Sequence, residues 1–389
     1  MMYKKRIYLD NAATTPLDPR VLETMMPFLT QKFGNASSMH SLGTEAKNTL
    51  EICRRQISNY VNAGADEIIF TSSGTESNNM ALKGIAFANR EKGNHIIVSA
   101  IEHDCILNTC KWLETQGFYI TYLPVDNTGI VEIDKLKKYI GHKTIMVSVI
   151  HANNEIGTIQ PLEEIGKLCK ERNVYFHSDA CQSFGKVPID VQKMNLDLLT
   201  FNAHKIYGPK GAGALYIRKG VNITPLIHGG GQEFELRSST ENIAGIVGFA
   251  MAAELCMTDF EKETKKMLEL RDKLINTIFS SIENVYLNGH PVQRLPNNVN
   301  IGIHGLEGET IRLLLLLDEE GIAVSAGSAC SSNDKNNRAS HVLQAIGLNP
   351  FEARGSIRIS LGRFNTETDI DKFIEVFQQT IKQLNPIFS

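Results

Sequence analysis

The chain has no surplus of basic charge: 40 Lys and Arg face 43 Asp and Glu, a net charge of −3 over 389 residues. That balance argues against a basic nucleic-acid surface. Nor is there an apolar run of the roughly eighteen residues needed to span a bilayer; the leucine stretch from Leu313 to Leu317 stops at Asp318. The opening MMYKKRIYLDN is positively charged but has no long apolar stretch behind it, unlike a secretory signal, so the chain is expected in the cytoplasm. Cysteine is sparse and odd in number, seven in all at 53, 105, 110, 169, 181, 256 and 330, with no CxxC pair. A disulfide framework or a closed four-ligand zinc site therefore has little support, and most of these thiols read as small apolar fillers. Two phosphate signatures are missing as well: no GxxxxGK[ST] occurs, and GPKGAGALY does not fit GxGxxG between a strand and a helix. What is present, 42% hydrophobic and 21% charged residues, is the mix of a folded globular chain. Its length implies one large domain with a smaller one, or two.

From about residue 67 the sequence alternates β-rich runs with helical patterns. Strands are predicted at 67–73, 95–100, 119–125, 144–150, 174–180, 196–203 and 213–218. Several are nearly continuous apolar runs, as strands buried on both faces of a mainly parallel sheet should be. Between them lie helix patterns such as PLEEIGKLCKERN, with Pro161 where a first turn tolerates it. In SLGTEAKNTLEICRRQISNYV, Leu42, Ala46, Leu50, Cys53, Ile57 and Val61 fall three or four apart, on one helical face. From 241 to 282 the pattern stays helical for unusually long, small and apolar first and charged later, so a break is expected near Thr258. NNVNIGI, IAVSAG and SIRISL read as short strands of a second, smaller α/β domain. The expected architecture is α/β, with ligands at the carboxyl ends of the large sheet's strands.

Those strand ends carry the chemistry. The first predicted strand runs into Gly74-Thr75-Glu76 and a helix; the glycine allows close approach and the following amides form a ready anion site. Lys205, in FNAHKIYGPKGAG, lies at the end of an apolar strand, where burial lowers a lysine's pKa and frees the amine for Schiff-base formation. Taken alone, such a lysine is more often a snorkelling surface residue. Asp179, at the end of VYFHSDACQS, is a carboxylate that needs a cationic partner. The protonated ring nitrogen of pyridoxal phosphate would be one, and Gln182 could donate to that ring's phenolic oxygen. His103, in AIEHD, could stack on a flat ring and shuttle protons. Asn153 and Asn154 follow the strand at 144–150; singly they are turn residues. Together these strand ends present phosphate donors, a stacker, a ring-nitrogen partner and an imine-forming lysine, which one phosphorylated cofactor explains.

The motifs AIEHD, HANNEIG, HSDACQS, NAHKIYGPKG, GGGQE, RSST, SAGSACSS and RISLGRF run in order from YLDNAATTP to the C-terminus. In that series the chain resembles the cysteine desulfurases of the NifS/IscS type, within the class V aminotransferase-like pyridoxal phosphate enzymes. The resemblance implies the aspartate-aminotransferase-like, fold type I architecture: a large, mostly parallel seven-stranded sheet domain (15–260) and a small α/β domain (1–14 and 261–389). It implies a homodimer that binds pyridoxal 5'-phosphate and takes sulfur from L-cysteine, leaving L-alanine and a persulfide. Lys205 then corresponds to the Schiff-base lysine, Asp179 to the pyridinium partner and His103 to the stacking acid–base residue. Gln182 and Asn154 lie near the phenolic oxygen and substrate; Gly74, Thr75, Asn202 and His204 surround the phosphate. Thr240 corresponds to a phosphate contact to the other subunit's cofactor, and Arg358 to the partner of the substrate carboxylate, where a guanidinium fork binds bidentately. Cys330, among small residues and ahead of a polar stretch, corresponds to the nucleophile and is also a candidate transient iron–sulfur ligand; its thiolate needs a neighbouring base. No resident metal is implied. The sulfur would pass to an acceptor protein such as an iron–sulfur scaffold, with tRNA thiolation also open. Three positions depart from the family pattern: Asn202 where serine is common, Ser239 where glycine is common, and Cys181 where threonine is frequent. A selenocysteine lyase or an aminotransferase of the same fold would carry much the same constellation, and a non-catalytic cluster-binding scaffold is the remote alternative.

Overall fold

The computed structural model describes residues 6–326 and 339–384. The chain begins with β1 (Ile7–Tyr8), α1 (Pro19–Thr30) and α2 (Ser41–Asn59). It continues through β2 (Ile68–Thr71), α3 (Gly74–Ala88), β3 (His95–Ser99), α4 (Asp104–Thr115), β4 (Tyr119–Leu123), α5 (Ile133–Tyr139) and β5 (Thr144–Ser148). Then come α6 (Leu162–Glu171), β6 (Tyr175–Asp179), β7 (Leu198–Asn202), β8 (Gly213–Ile217), α7 (Ile243–Thr258) and α8 (Phe260–Ser281). The remainder comprises β9 (Val285–Leu287), β10 (Asn298–Ile303), α9 (Thr310–Glu319), β11 (Ile322–Ala323), β12 (Ser325–Ala326), α10 (His341–Ala345), β13 (Ser356–Ser360) and α11 (Glu367–Leu384).

All seven strands read from the apolar runs form, and they make one sheet in the order β2-β8-β7-β6-β5-β3-β4. The pairs β3/β4, β3/β5, β5/β6 and β6/β7 are parallel, and β8 alone runs against its neighbours β2 and β7. Every residue of β5, β7 and β8 is buried, because helices cover both faces. The strand period of two sorts side chains between those faces: Ile97 enters the core with Val147 and Phe176, whereas Ile96 and Val98 enter the other with Met80, Ile85 and Leu113. β4 is at the sheet edge and exposes Tyr119 and Tyr122.

α7 is apolar on all sides, IAGIVGFAMAAELCMT, and is mostly buried, packing on α1 and α2. Its chain turns by 73° between Thr258 and Phe260 into α8, which has a charged outer face. This is the break expected near Thr258. Among the described residues no single helix is long and apolar enough to cross a membrane. Leu42, placed by spacing on the buried face of α2, is exposed; Gly43 is buried instead, against the Ser38 carbonyl, where a Cβ would come within 2.2 Å. The close approach of backbone there leaves no room for a side chain, so the helix enters the core one residue later.

A second sheet, β12-β13-β10-β9, is antiparallel, and β1 pairs in parallel with β11. Its core joins Leu274 and Ile278 of α8, Val299 and Ile301 of β10, Ile359 of β13 and Phe373 and Phe377 of α11, together with Leu9 from the start of the chain. Val342 and Leu343 of α10 pack into the large sheet's core.

A buried ion pair fixes the loop after β8. Arg54 on α2 makes a two-pronged bond to Glu233, at 2.7 and 2.8 Å, and its guanidinium lies between the rings of Phe70 and Phe234, each 4.9 Å away. Glu233 also accepts the Phe70 amide at 2.7 Å. Glu233, Phe234 and Glu235 all take left-handed φ, 47, 58 and 66°, a run held against its local cost by that pair. Ser239 has φ 134°; the turn that glycine would serve is kept, and the serine bears the strain. Arg54→Ala should destabilise the fold by about 3–5 kcal/mol in urea unfolding, because it strands the Glu233 carboxylate in the interior. Ser239→Gly should stabilise it by about 1 kcal/mol in the same measurement.

Candidate active site

β2, β3, β5, β6 and β7 are parallel in space, so their carboxyl ends meet at one edge of the sheet. Gly74 opens α3 just beyond β2, His103 caps α4 beyond β3, and Asn154 follows β5. Asp179 is the last residue of β6 and Asn202 the last of β7, with His204 and Lys205 directly after. The predicted residues of the large sheet therefore converge, because a parallel sheet sends every strand the same way.

Asp179 is buried and accepts two neutral donors: the Asn78 amide at 2.6 Å and the Cys181 backbone N–H at 2.8 Å. Asn78, on α3 one turn past Gly74, also donates to Cys105 Sγ at 3.2 Å. Cys105 in turn lies 3.1 Å from His103 Nδ1, and its backbone N–H donates to the same nitrogen at 3.2 Å. Cys181 Sγ fills the space over Gly74, where a Cβ would come within 2.4 Å of the sulfur. Burial, with the Asp179 carboxylate nearby, holds the Cys181 thiol well above its ordinary pKa, so it is a neutral neighbour.

The segment from Leu9 to Thr15 crosses this edge as a strap. Lys205 Nζ donates to the Ala12 and Ala13 carbonyls, at 2.6 Å for Ala13. Gln182 Nε2 donates to Ala12 O at 2.8 Å. Thr15 donates through its N–H and its hydroxyl to the His204 carbonyl, both at 3.0 Å, and Thr14 Oγ1 lies 3.2 Å from His204 Nδ1. Burial and the Lys205 charge depress His204 to about 4. Lys186, donating to Gln182 O at 2.9 Å, is pulled down to about 8 by burial and then by Lys205.

From the second sheet comes Arg358 of β13, buried, donating to Asp10 at 2.8 Å and to the Asn154 carbonyl at 3.1 Å; among the described residues its Nε has no hydrogen-bond partner. Arg358 is thus both the inter-sheet ion pair and a guanidinium with an unspent donor. Asn153, not Asn154, is the buried turn residue, accepting from the amides of Glu155 and Ile156. Thr75 and Thr240 are exposed; Thr240 follows a loop tied to the first turn of α3 by the Arg237–Glu76 pair at 2.7 Å. Cys330 lies outside the described residues. Among the described residues no three His, Cys, Asp or Glu side chains are placed to hold a metal ion.

The sequence profile of the family described as aminotransferase class-V matches residues 7–373. The chain belongs to the class-V aminotransferase family. Its similarity within the class-V aminotransferases runs nearly end to end: it is 54% identical over 381 residues to a cysteine desulfurase IscS of Clostridium botulinum, covering 97% of this chain and 95% of that one. It is 51% identical to a cysteine desulfurase IscS of Methanosarcina thermophila, over 98% and 93% of the two chains. The solved structure of a NifS-like protein superposes with a TM-score of 0.90 at 40% identity, covering 97% of this chain and all of that one. The fold type I architecture and the resemblance to NifS/IscS desulfurases stand on these matches.

A phosphorylated pyridine aldehyde fits the residues of this class-V site. Asp179 is a buried carboxylate that accepts from the Asn78 amide and the Cys181 backbone N–H, and a pyridinium nitrogen would supply the counter-charge. Gly74, having no Cβ, lets the first turn of α3 pack directly against Cys181 and Asn202, which sets the helix N-terminus and its free amides at the sheet edge. Asn202 has a buried, orphaned Oδ1, and an amide flip presents a donor instead. Sequence reasoning missed Asn78, Cys105, Asp10 and the strap carbonyls. Asn78 had one signal, its place one turn beyond Gly74; the strap carbonyls had none, since backbone groups carry no residue identity.

Two buried glutamates close the rear of the site. Glu102 accepts the Ile150 amide at 2.6 Å, while Oε2 has no hydrogen-bond partner among the described residues, and burial lifts it from 4.5 to about 8. Burial lifts Glu155, bonded to Ser340, to about 7. The folded state holds a proton that the unfolded chain releases above about 4.5, so this stabilisation is complete in acid and is lost as pH rises through 8. The melting temperature should therefore fall less steeply between pH 5 and 8 in Glu102→Gln than in the parent, as read by circular dichroism.

Proposed function

We propose that the protein is a cysteine desulfurase that binds pyridoxal 5'-phosphate and removes sulfur from L-cysteine. The observation that carries this reading is the meeting of Asp179 and Lys205 at one sheet edge with the N-terminus of α3 at Gly74, in a chain whose relatives are named cysteine desulfurases. When bound, pyridoxal phosphate supplies an aldehyde that condenses with amines and a ring that draws electrons from the substrate's α-carbon.

The protein's own groups do the rest. Asp179 would hold the ring nitrogen in its protonated form, His103 would stack and exchange protons, and Gln182 and Asn154 would serve the phenolic oxygen and substrate. Gly74, Thr75, Asn202 and His204 surround the phosphate. With the cofactor bound, Lys205 would hold it through Nζ and would take up the substrate's α-proton. Arg358, steadied by Asp10, offers its unspent Nε–H to the substrate carboxylate. The Cys330 thiolate attacks the substrate sulfur; the carbon–sulfur bond breaks, the carbon fragment is protonated to L-alanine, and the sulfur stays as a Cys330 persulfide. Electrons balance without an external oxidant.

The division into 15–260 and 1–14 plus 261–389 is supported by the two sheets with separate cores, with α10 joining the larger one. A homodimer is supported by the exposed Leu22, Met26, Leu29 and Phe33 on and beside α1, and by Thr240, which is exposed and suits the other subunit's phosphate. The reading places the enzyme in the cytoplasm, handing sulfur to an acceptor protein such as an iron–sulfur scaffold, with Cys330 a candidate transient cluster ligand.

The purified protein should absorb visible light, change its spectrum on adding L-cysteine and release sulfide and alanine in the presence of a reductant. Lys205→Ala should abolish turnover, and Cys330→Ser should keep the spectral change while losing sulfide release by at least about 10³-fold. Keto-acid exchange in place of sulfide would make it an aminotransferase, and normal turnover by Cys330→Ser would remove the persulfide step.

A further inference from the structure

Cys105 has no part in the proposed chemistry, yet its sulfur lies inside the site. Three of its hydrogen bonds have forced directions. The Asp179 carboxylate only accepts, so the Asn78 atom 2.6 Å from it is the amide nitrogen. That same nitrogen is 3.2 Å from Cys105 Sγ, so its N–H donates to the sulfur. The sulfur lies 3.1 Å from His103 Nδ1, and the thiol is the donor there when that nitrogen carries no proton. The Cys105 backbone N–H, which can only donate, points at the same Nδ1 from 3.2 Å.

Two donors on one nitrogen leave that nitrogen without a proton of its own. We infer that Cys105 is a positioning residue that holds the His103 ring in the form protonated at Nε2, through a directed chain from Asp179 by way of Asn78. The backbone amide alone would cap α4 with the imidazole; the thiol adds the second donor that disfavours a proton on Nδ1. The chain also ties the ring's tilt to the carboxylate that faces the cofactor nitrogen, so stacker and nitrogen partner move as one unit. A serine hydroxyl can make the same donation, whereas alanine cannot. The catalytic consequence rests on the desulfurase reading; the tautomer does not.

The test is nitrogen NMR of the full-length protein labelled with ¹⁵N-histidine, with the His103 signals assigned by their loss in His103→Gln, alongside kinetics with L-cysteine. Nδ1 should resonate as an unprotonated ring nitrogen and Nε2 as a protonated one. Cys105→Ala should move both towards the averaged values of exchanging tautomers and lower kcat/KM about five- to tenfold. Cys105→Ser should restore the ring signals and return kcat/KM to within about twofold of the parent. A protonated Nδ1 in the parent, or unchanged ring signals in Cys105→Ala, would overturn the inference. So would a serine variant as impaired as the alanine one, which would make the thiol a packing residue. If instead the parent releases no sulfide while the ring signals behave as stated, it is the desulfurase reading that fails and the tautomer assignment that stands.

Discussion

A carboxylate kept in the protein interior organises this site. Asp179 ends a strand flanked on both sides by parallel neighbours, is buried, and accepts from an amide side chain and a backbone N–H. A buried carboxylate is costly without a cationic counterpart, and the ring nitrogen of the cofactor would be one. Asn78 spends its N–H groups on this carboxylate and on Cys105, which sets α3 and α4 at their spacing around it. The close packing at Gly74 and the cap at His103 follow from where those two helices begin.

The second constraint is the strap from Leu9 to Thr15. It starts beside the two-stranded β1/β11 pair, with Leu9 in the smaller core, and ends by bonding to His204 and Tyr207 in the loop after β7. Its carbonyls accept the Lys205 ammonium, and the neighbouring Asp10 holds Arg358. The lysine and the arginine, from opposite sheets, are thus referenced to one short stretch of backbone. Arg363 adds a second tie, bonded to Asp18 before α1 and to Glu263 in α8. Relative motion of the two sheets would be felt at both cations of the site.

Much of the fold was legible because its signals are periodic. Strands buried on both faces read as unbroken apolar runs, and the large sheet's seven appear within a few residues of their predicted places. The break after Thr258 was legible from the change of surface chemistry along α7 and α8. Leu42 shows the limit of spacing, since a close backbone approach at Gly43 decided which residue enters the core. β9, only three residues long and half-buried, has no pattern to read.

Of the site, the side chains with distinctive chemistry stood out: a lysine, an aspartate and a histidine each following an apolar strand. Residues that act by their hydrogen-bonding position did not. Cys105 read as an apolar filler, as Cys53, Cys110, Cys169 and Cys256 indeed are, until its distances to Asn78 and His103 were known. What the amino-acid sequence determined by itself was the alternation of strands and helices and the identity of the groups at the strand ends, because periodicity and residue type are local properties. Which backbone carbonyls meet Lys205, which amide holds Asp179 and which nitrogen of His103 accepts a proton donor were decided only by the tertiary structure. Those depend on directions and separations between segments tens to hundreds of residues apart, and no local pattern encodes them.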